Sequence, residues 1–209
     1  MALNVAISTC GPMLEVALRT DVSRVASTVR LAGVSPRSTL VLAALDLLVE
    51  DAGSDPEAID VVVVSRGPGS FTGIRSGLAT AAGLAEATGA RCVAFDSLVM
   101  QAARCSHAGV VWAAQPGRRG EAYVQSFRVA ETGPPEALSD IEIAPRSELA
   151  SRSPLVASEG LVLPGAERLQ PPLGAAEALL DLAAFDPVGH AFEPLYVEGP
   201  PIHGGGRHG

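Results

Sequence analysis

The chain has 209 residues, 47% of them hydrophobic and only 4% aromatic, and a net charge of −8 set against fifteen basic residues that are all arginine. That length holds one large domain or two small ones, with a core built from Ala, Val and Leu. The acidic balance excludes a chain that grips nucleic acid unaided, because phosphates are met by basic patches and the one adjacent basic pair is Arg118-Arg119.

In chain order, Leu3 to Ile7 and Met13 to Leu18 read as strands around the punctuation Gly11-Pro12, and Val22 to Val29 as a third. A break at Gly33 to Pro36 leads into a helix over 37–52. Asp60 to Ser65 is a β-branched run suited to a parallel strand buried on both faces. Gly67 to Ser70 forms a tight loop, 72–88 a helix ended by Gly89, Arg91 to Phe95 a strand, and Ser97 to Cys105 a helix. The second half repeats the rhythm more faintly. It has strands at 110–114 and 122–129 around a turn, a short helix from Pro145, strands at 154–157 and 161–163, and an amphipathic helix at 175–185. Residues 203–209 are Gly-rich and expected to be disordered.

Several classes fall away on composition. The longest apolar stretch, Leu40 to Val49, is interrupted by Asp46 and lies far short of the ~20 residues of a membrane span. The opening MALNVAI lacks a cationic start and a cleavage pattern, so the expected location is the cytoplasm. Cys10, Cys92 and Cys105 form no C-x-x-C pair, which points to buried thiols in a reducing compartment and to no metal site. The histidines His107, His190, His203 and His208 make no ligand or triad spacing. Glu121 and Tyr123 follow a turn and read more readily as strand positions than as ligand contacts.

Two helices stand out. In 37–52, Thr39, Asp46 and Glu50 share a narrow polar stripe, and apolar residues fill an arc of roughly 220°, about twice the ~100° a surface helix needs. In 72–88, Gly73, Gly77 and Ala81 recur at four-residue spacing, a pattern that lets helix backbones approach closely. Close packing within the same lobe and an interface with another subunit explain this equally well. The interface reading takes Leu40, Val41, Ala44, Leu45 and Leu48 from the first helix and Gly73, Ile74, Gly77, Leu78 and Ala81 from the second. On that reading Gly77→Leu abolishes association and leaves the fold intact.

The sharpest local signal is Ser65-Arg-Gly-Pro-Gly-Ser-Phe-Thr-Gly-Ile-Arg75, between a strand and a helix N-terminus where an anion is favoured. A Walker loop fails for want of any lysine, a dinucleotide fingerprint fails because its third glycine comes one residue late, and a nucleophile elbow fails on the flanks of Ser70. A structural turn takes the larger share. Phosphate binding by Arg66, Gly67, Gly69, Ser70, Thr72 and Gly73 stays open.

The segment SRGPGSFTGIRSGLATAAGL, residues 65–84, closely resembles the signature of the bacterial TsaB (YeaZ) family. Ala6-Ile-Ser-Thr9 is similar to the family's A-I-D-T strand end, Val41 to Leu48 to its first long helix, Gly120-Glu-Ala-Tyr123 to its G-E-V-Y strand, and Glu193-Pro-Leu-Tyr196 to its closing E-P-x-Y. The resemblance implies an α/β, two-lobe actin/sugar-kinase-like (ribonuclease H-like) fold with mixed sheets flanked by helices. The expected parts are an N-terminal lobe over 1–105, a smaller lobe over 106–202 and the tail 203–209.

The resemblance also implies a function. The chain would be a non-catalytic scaffold of the complex that installs N6-threonylcarbamoyladenosine at position 37 of tRNAs reading codons that begin with A. Its partners would be a TsaD-type transferase, a TsaE-type ATPase and a second copy of itself. It would meet tRNA only through the complex, and ATP and metal would belong to the partners. Ser8 stands where the family has an Asp, which leaves at most weak nucleotide binding here, and Arg37-Ser38 stands where the family often has His-Ser. The alternatives are a small ATPase or acyltransferase of the same fold and an inactive peptidase-like paralogue.

Overall fold

The computed structural model describes residues 1–197 apart from Arg24, 34–36, 106–107, Pro164 and Glu167; the side chains of Arg37 and Ser38 and the whole tail 198–209 lie outside the described residues. The expectations about the tail, His107, His203, His208 and the Arg37-Ser38 side chains therefore lie outside them too.

Strands β1 (Leu3–Ser8), β2 (Met13–Thr20) and β3 (Ser27–Ala32) form an antiparallel meander; helix α1 (Arg37–Asp51) then crosses to β4 (Ile59–Ser65), and α2 (Phe71–Thr88) crosses to β5 (Arg91–Phe95). The first sheet runs β3-β2-β1-β4-β5, with β4 parallel to both β1 and β5. The third strand starts five residues later than the sequence suggests. Val22 and Val25, which drew the reading forward, are 82% and 79% exposed in the turn before it.

After α3 (Ser97–Ala103) come β6 (Gly109–Pro116), β7 (Glu121–Val129), the short β8 (Glu136–Ala137), β9 (Glu142–Pro145), a 3-10 turn at Arg146–Ser151, β10 (Leu155–Ala157) and α4 (Ala175–Phe185). In the second sheet β6 lies between β7 and a parallel β10, and β9 pairs with the far edge of β7. The order β9-β7-β6-β10 repeats β3-β2-β1-β4, so the faint rhythm of the sequence is a real repeat, in which no strand among the described residues pairs with the outer edge of β10 as β5 does with β4. Residues 161–163 form no strand; Leu161 and Leu163 are simply buried in the second core.

The helices cross over between the halves. Helix α3 follows the first sheet yet packs on the second, where Leu98 and Ala102 meet Val111, Ala113 and Phe127. Helix α4 follows the second sheet yet packs on the first, where Leu179 and Ala176 meet Ala6, Ala17, Val61 and Val63. The expected boundary that placed everything after residue 106 in one lobe is corrected accordingly, because 175–185 belongs to the layer of the first sheet. The opposite face of that sheet, with Val5, Ile7, Val16, Val62 and Val64, is covered by α1 and α2.

A buried carboxylate ties α4 to its sheet. Gly174 precedes the helix and has no side chain to cap it; Glu15 Oε2 on β2 accepts from the Ala175 and Ala176 amides at 2.6 and 3.3 Å instead. Free amides and the positive helix end favour that charge. Glu15→Ala should cost about 2 kcal/mol, the upper range for a lost cap. A urea midpoint equal to that of the unaltered chain would refute the capping role.

Candidate functional site

The glycine loop sits between β4 and α2, and its close contacts are with the protein itself. Gly67 and Gly69 have φ of 111° and 149°, a region that only glycine enters readily. A side chain on Gly69 would strike the Cys10 carbonyl, and one on Gly73 the Thr9 carbonyl. The Ser70 amide donates to Cys10 O at 2.8 Å, the Ser70 hydroxyl caps α2 by accepting from the Gly73 amide at 3.2 Å, and the Ser97 amide donates to Gly67 O at 2.7 Å. Of the six residues considered for phosphate, Gly67, Gly69, Ser70 and Gly73 are thus held by backbone packing, and only Thr72 stands exposed without such a contact. The loop is built as a joint, and the glycines let the β1–β2 turn approach α2.

Arg66 completes the joint. Its Nε donates to Asp96 Oδ1 at 2.5 Å, and its Nη1 reaches the carbonyls of Ala191 and Glu193 at 3.3 and 3.4 Å. The Leu195 amide returns a bond to Arg66 O at 2.8 Å, and Tyr196 stacks on Phe71 with ring centroids 5.0 Å apart. His190 Nδ1 lies 2.8 Å from Asp96 Oδ1 and 3.2 Å from the Asp96 amide. One nitrogen cannot donate to the first and accept from the second at once; the shorter, charge-matched contact decides for the carboxylate. The spacing of 94 residues between Asp96 and His190 hid this pair from the sequence. The E-P-L-Y segment, by contrast, was legible as a motif.

The space between the sheets is filled. Ser8 is buried and its hydroxyl donates to Met100 Sδ at 3.6 Å. Beside it a cavity of about 10 Å³ remains, lined by Gly11, Glu15, Gln101, Gln115 and Ser158 among others. That is one water's worth of room. Gln101 donates to Ser158 Oγ at 3.1 Å, and Arg104 reaches Gln101 Oε1 at 2.8 Å, Leu173 O at 2.9 Å and Glu159 Oε1 at 3.0 Å. Glu159 also pairs with Arg30 on β3, joining the two halves across the cleft. Two carboxylates, Glu15 and Glu159, line it.

Burial by itself would raise the carboxyl of Asp96, but the bonds from His190 and Arg66 outweigh it and hold it below the usual carboxylate range. Burial likewise pushes the Glu159 carboxyl up, and Arg30 and Arg104 outweigh it and hold the group below its ordinary value. Depressed carboxylates add stability that is present above the unfolded values and lost as pH falls through the folded ones. The melting temperature should therefore hold down to about pH 5 and drop steeply below about pH 4. The double variant Asp96→Asn, Glu159→Gln should flatten that acid limb; an unchanged limb would assign it to other groups.

The helices proposed as an interface present different faces from those expected. Val41, Ala44, Leu45 and Leu48 are at most 4% exposed, Leu40 packs partly buried against the same core, and Ile74, Leu78 and Ala81 are at most 7% exposed. Gly73 and Gly77 face the β1–β2 turn, where the Thr9 hydroxyl donates to Gly73 O at 2.7 Å. These ten residues are corrected from interface to internal packing. Helical periodicity measures an apolar arc without saying which part the sheet covers.

The excess lies outside. Leu42 and Leu47 are 46% and 57% exposed on α1, and α2 exposes Ala79, Gly83 and Ala87, a second set of small residues at four-residue spacing. A side chain added to Gly83 would meet no atom within 4 Å. The same spacing, two positions along from the first set, was available in the sequence and went unused. Tyr123 is buried in the second core and Glu121 half-buried at the start of β7. Among the described residues none of the three cysteines is in a disulfide, no cluster of side chains is placed to hold a metal, and no helix is long and apolar enough to cross a membrane.

Two sheets with the repeated strand order, helices exchanged between them and a glycine joint at the end of β4 define a protein of the actin-like class. The family described as TsaD, tRNA N6-adenosine threonylcarbamoyltransferase, matches residues 30–159, well over half of the chain. YeaZ from Pseudomonas aeruginosa superposes with a TM-score of 0.72 at 23% identity, over 94% of this chain and 100% of that one. A second structure, titled an uncharacterized protein with similarity to peptidase YeaZ from Pseudomonas aeruginosa, gives 0.76 at 25% identity over 95% and 100%. The chain belongs to the TsaD family and, within it, to the TsaB (YeaZ) branch. Its role lies in the tRNA threonylcarbamoyladenosine pathway.

Proposed function

We propose that this chain is a non-catalytic docking subunit that engages a TsaD-type transferase through the outer faces of α1 and α2. The observation that carries the reading is that α1 leaves Leu42 and Leu47 exposed while α2 exposes the small stripe Ala79, Gly83 and Ala87. Large aliphatic groups and residues with almost no side chain make a surface onto which another helix pair can close at short range. The same surface serves a second copy when the transferase is absent. A TsaE-type ATPase joins the assembly, tRNA is met through the transferase, and the work is done in the cytoplasm. The lobes of the resemblance correspond to the two sheets with their exchanged helices.

An enzymatic reading needs a site for substrate. The filled cleft weighs against a nucleotide, with about 10 Å³ free beside Ser8. A peptidase needs a nucleophile within reach of a base. His190 is engaged with Asp96, and Ser97 is fully buried with its hydroxyl donating to the Pro68 carbonyl.

Mixing the purified chain with a TsaD-type transferase should give a co-eluting complex and restore threonylcarbamoyladenosine formation that the transferase alone lacks. Calorimetry should find no micromolar ATP binding to the chain alone. Separate elution at micromolar concentrations, or tight ATP binding with turnover, would overturn the reading.

A further inference from the structure

On the side of the first sheet opposite α1 and α2, two cavities open between α3, α4 and the segment that links β7 to β8. One has a volume of 310 Å³ and is walled by Phe95, Val99, Pro134 and Ala137 among others; its neighbour, of 140 Å³, is walled by Val129, Thr132 and Phe185 among others. Pro135 and Leu182 line both, so the two adjoin along one stretch of surface, here called the groove. Its walls mix apolar and polar side chains, and Phe185 is left 58% exposed at its edge.

Acidic side chains predominate around it. Asp96 and Asp186 line the larger cavity and Glu131 and Asp181 the smaller. His190, bound to Asp96, also lines the larger cavity, and among the described residues no arginine lines either, although arginines are spread over the rest of the surface. Asp96 and Asp181 draw on Arg66 and Arg19, which stand outside the groove. Asp186 accepts from the backbone amides of Val188 and Gly189 at 3.1 and 3.0 Å, which leaves its charge intact, and Glu131 is exposed. A compact anion or a nucleic acid is repelled here.

We infer that this groove is a second docking site and that its occupant is an extended, basic peptide segment of a partner protein, anchored by an apolar side chain in the larger cavity. Two adjoining cavities suit side chains spaced along an extended backbone better than one compact molecule. Apolar anchors supply affinity, and guanidinium or ammonium groups meeting a carboxylate-rimmed wall supply selectivity and rate. Since α1 and α2 lie on the other side of the sheet, the site can be filled while that face is engaged. The inference does not depend on the transferase-docking reading.

The test uses a fluorescein-labelled hexapeptide of alternating leucine and arginine, a matched peptide with glutamate in place of arginine, and anisotropy at low and high salt. The basic peptide should bind saturably, and added salt should weaken it by screening. Ala137→Arg, which fills the larger cavity with like charge, and Glu131→Arg should each weaken it by about tenfold with melting temperatures unchanged. Glu50→Arg, on α1 at the opposite side, should leave the affinity as it was. No saturable binding, equal binding of the glutamate peptide, or unchanged affinity in Ala137→Arg would overturn the inference. Affinity that rises on removing 198–209 would assign the groove to the chain's own tail, and a dimer dispersed by Ala137→Arg would assign it to a second copy; either also overturns it.

Discussion

Gly77→Leu will unfold the protein rather than release it from a partner. The Cβ alone would run into the Thr9 hydroxyl, and the next atom outward is Val64 Cγ2 at 3.4 Å. Thr9 is fully buried and its hydroxyl bonds the Gly73 carbonyl, so it has nowhere to turn. A leucine must therefore push α2 off β1 and β4, opening the core that contains Ile7, Val64, Ile74 and Leu78. Overpacking of this kind costs about 3 kcal/mol or more, a large part of the stability of a domain. The expected result is insoluble protein or a lost cooperative transition by circular dichroism. A soluble variant that melts like the unaltered chain but no longer associates would restore the small-faced stripe of Gly73 and Gly77 as an interface and refute the packing described above. Gly77→Ala is the graded version and should already cost more than Gly83→Ala. The latter meets open space and should stabilise by up to about 1 kcal/mol through helix propensity.

The pair Leu47→Arg and Gly83→Arg should do the opposite. Both positions are exposed, so the folded chain alone should lose little; substitutions of that kind stay within about 0.5 kcal/mol. On the docking face the two arginines place unpaired charge at the centre of a desolvated contact and fill the space a partner helix would occupy. Truncation or charge at such a centre is worth roughly 2–4 kcal/mol, so affinity for the transferase should fall by about a hundredfold or more. Sedimentation of the mixture and threonylcarbamoyladenosine formation on tRNA should decline together, with the melting temperature held. Association at unaltered strength in the double variant would move the docking surface elsewhere on the molecule.

These two glycines, six residues apart on one helix, show where reading from sequence stops. Both occur in small-residue patterns with the same spacing, and neither propensity nor periodicity separates them. The separation comes from the β1–β2 turn, which lies more than sixty residues away in the chain and presses the Thr9 carbonyl and hydroxyl against one side of α2 only. The same limit explains α4. Its amphipathic pattern was plain at 175–185, but nothing local says that it returns to the first sheet, because Glu15 receives its N-terminus from 160 residues away. Arg66, Asp96 and His190 became a cluster only when the chain end crossed the glycine loop.

Local chemistry settled what local chemistry can. Turn glycines, β-branched runs and apolar spacing determined the order of elements, with α1 and α2 placed to within a residue at each end, and the GPGSFTGIR segment carried the family. The three-dimensional structure decided which arc of each helix meets the sheet, which side remains for another protein, and that the cleft is closed by Arg104 and Glu159. Those outcomes depend on contacts between distant parts of the chain, and a repeat of 3.6 residues contains no information about which distant strand will cover it.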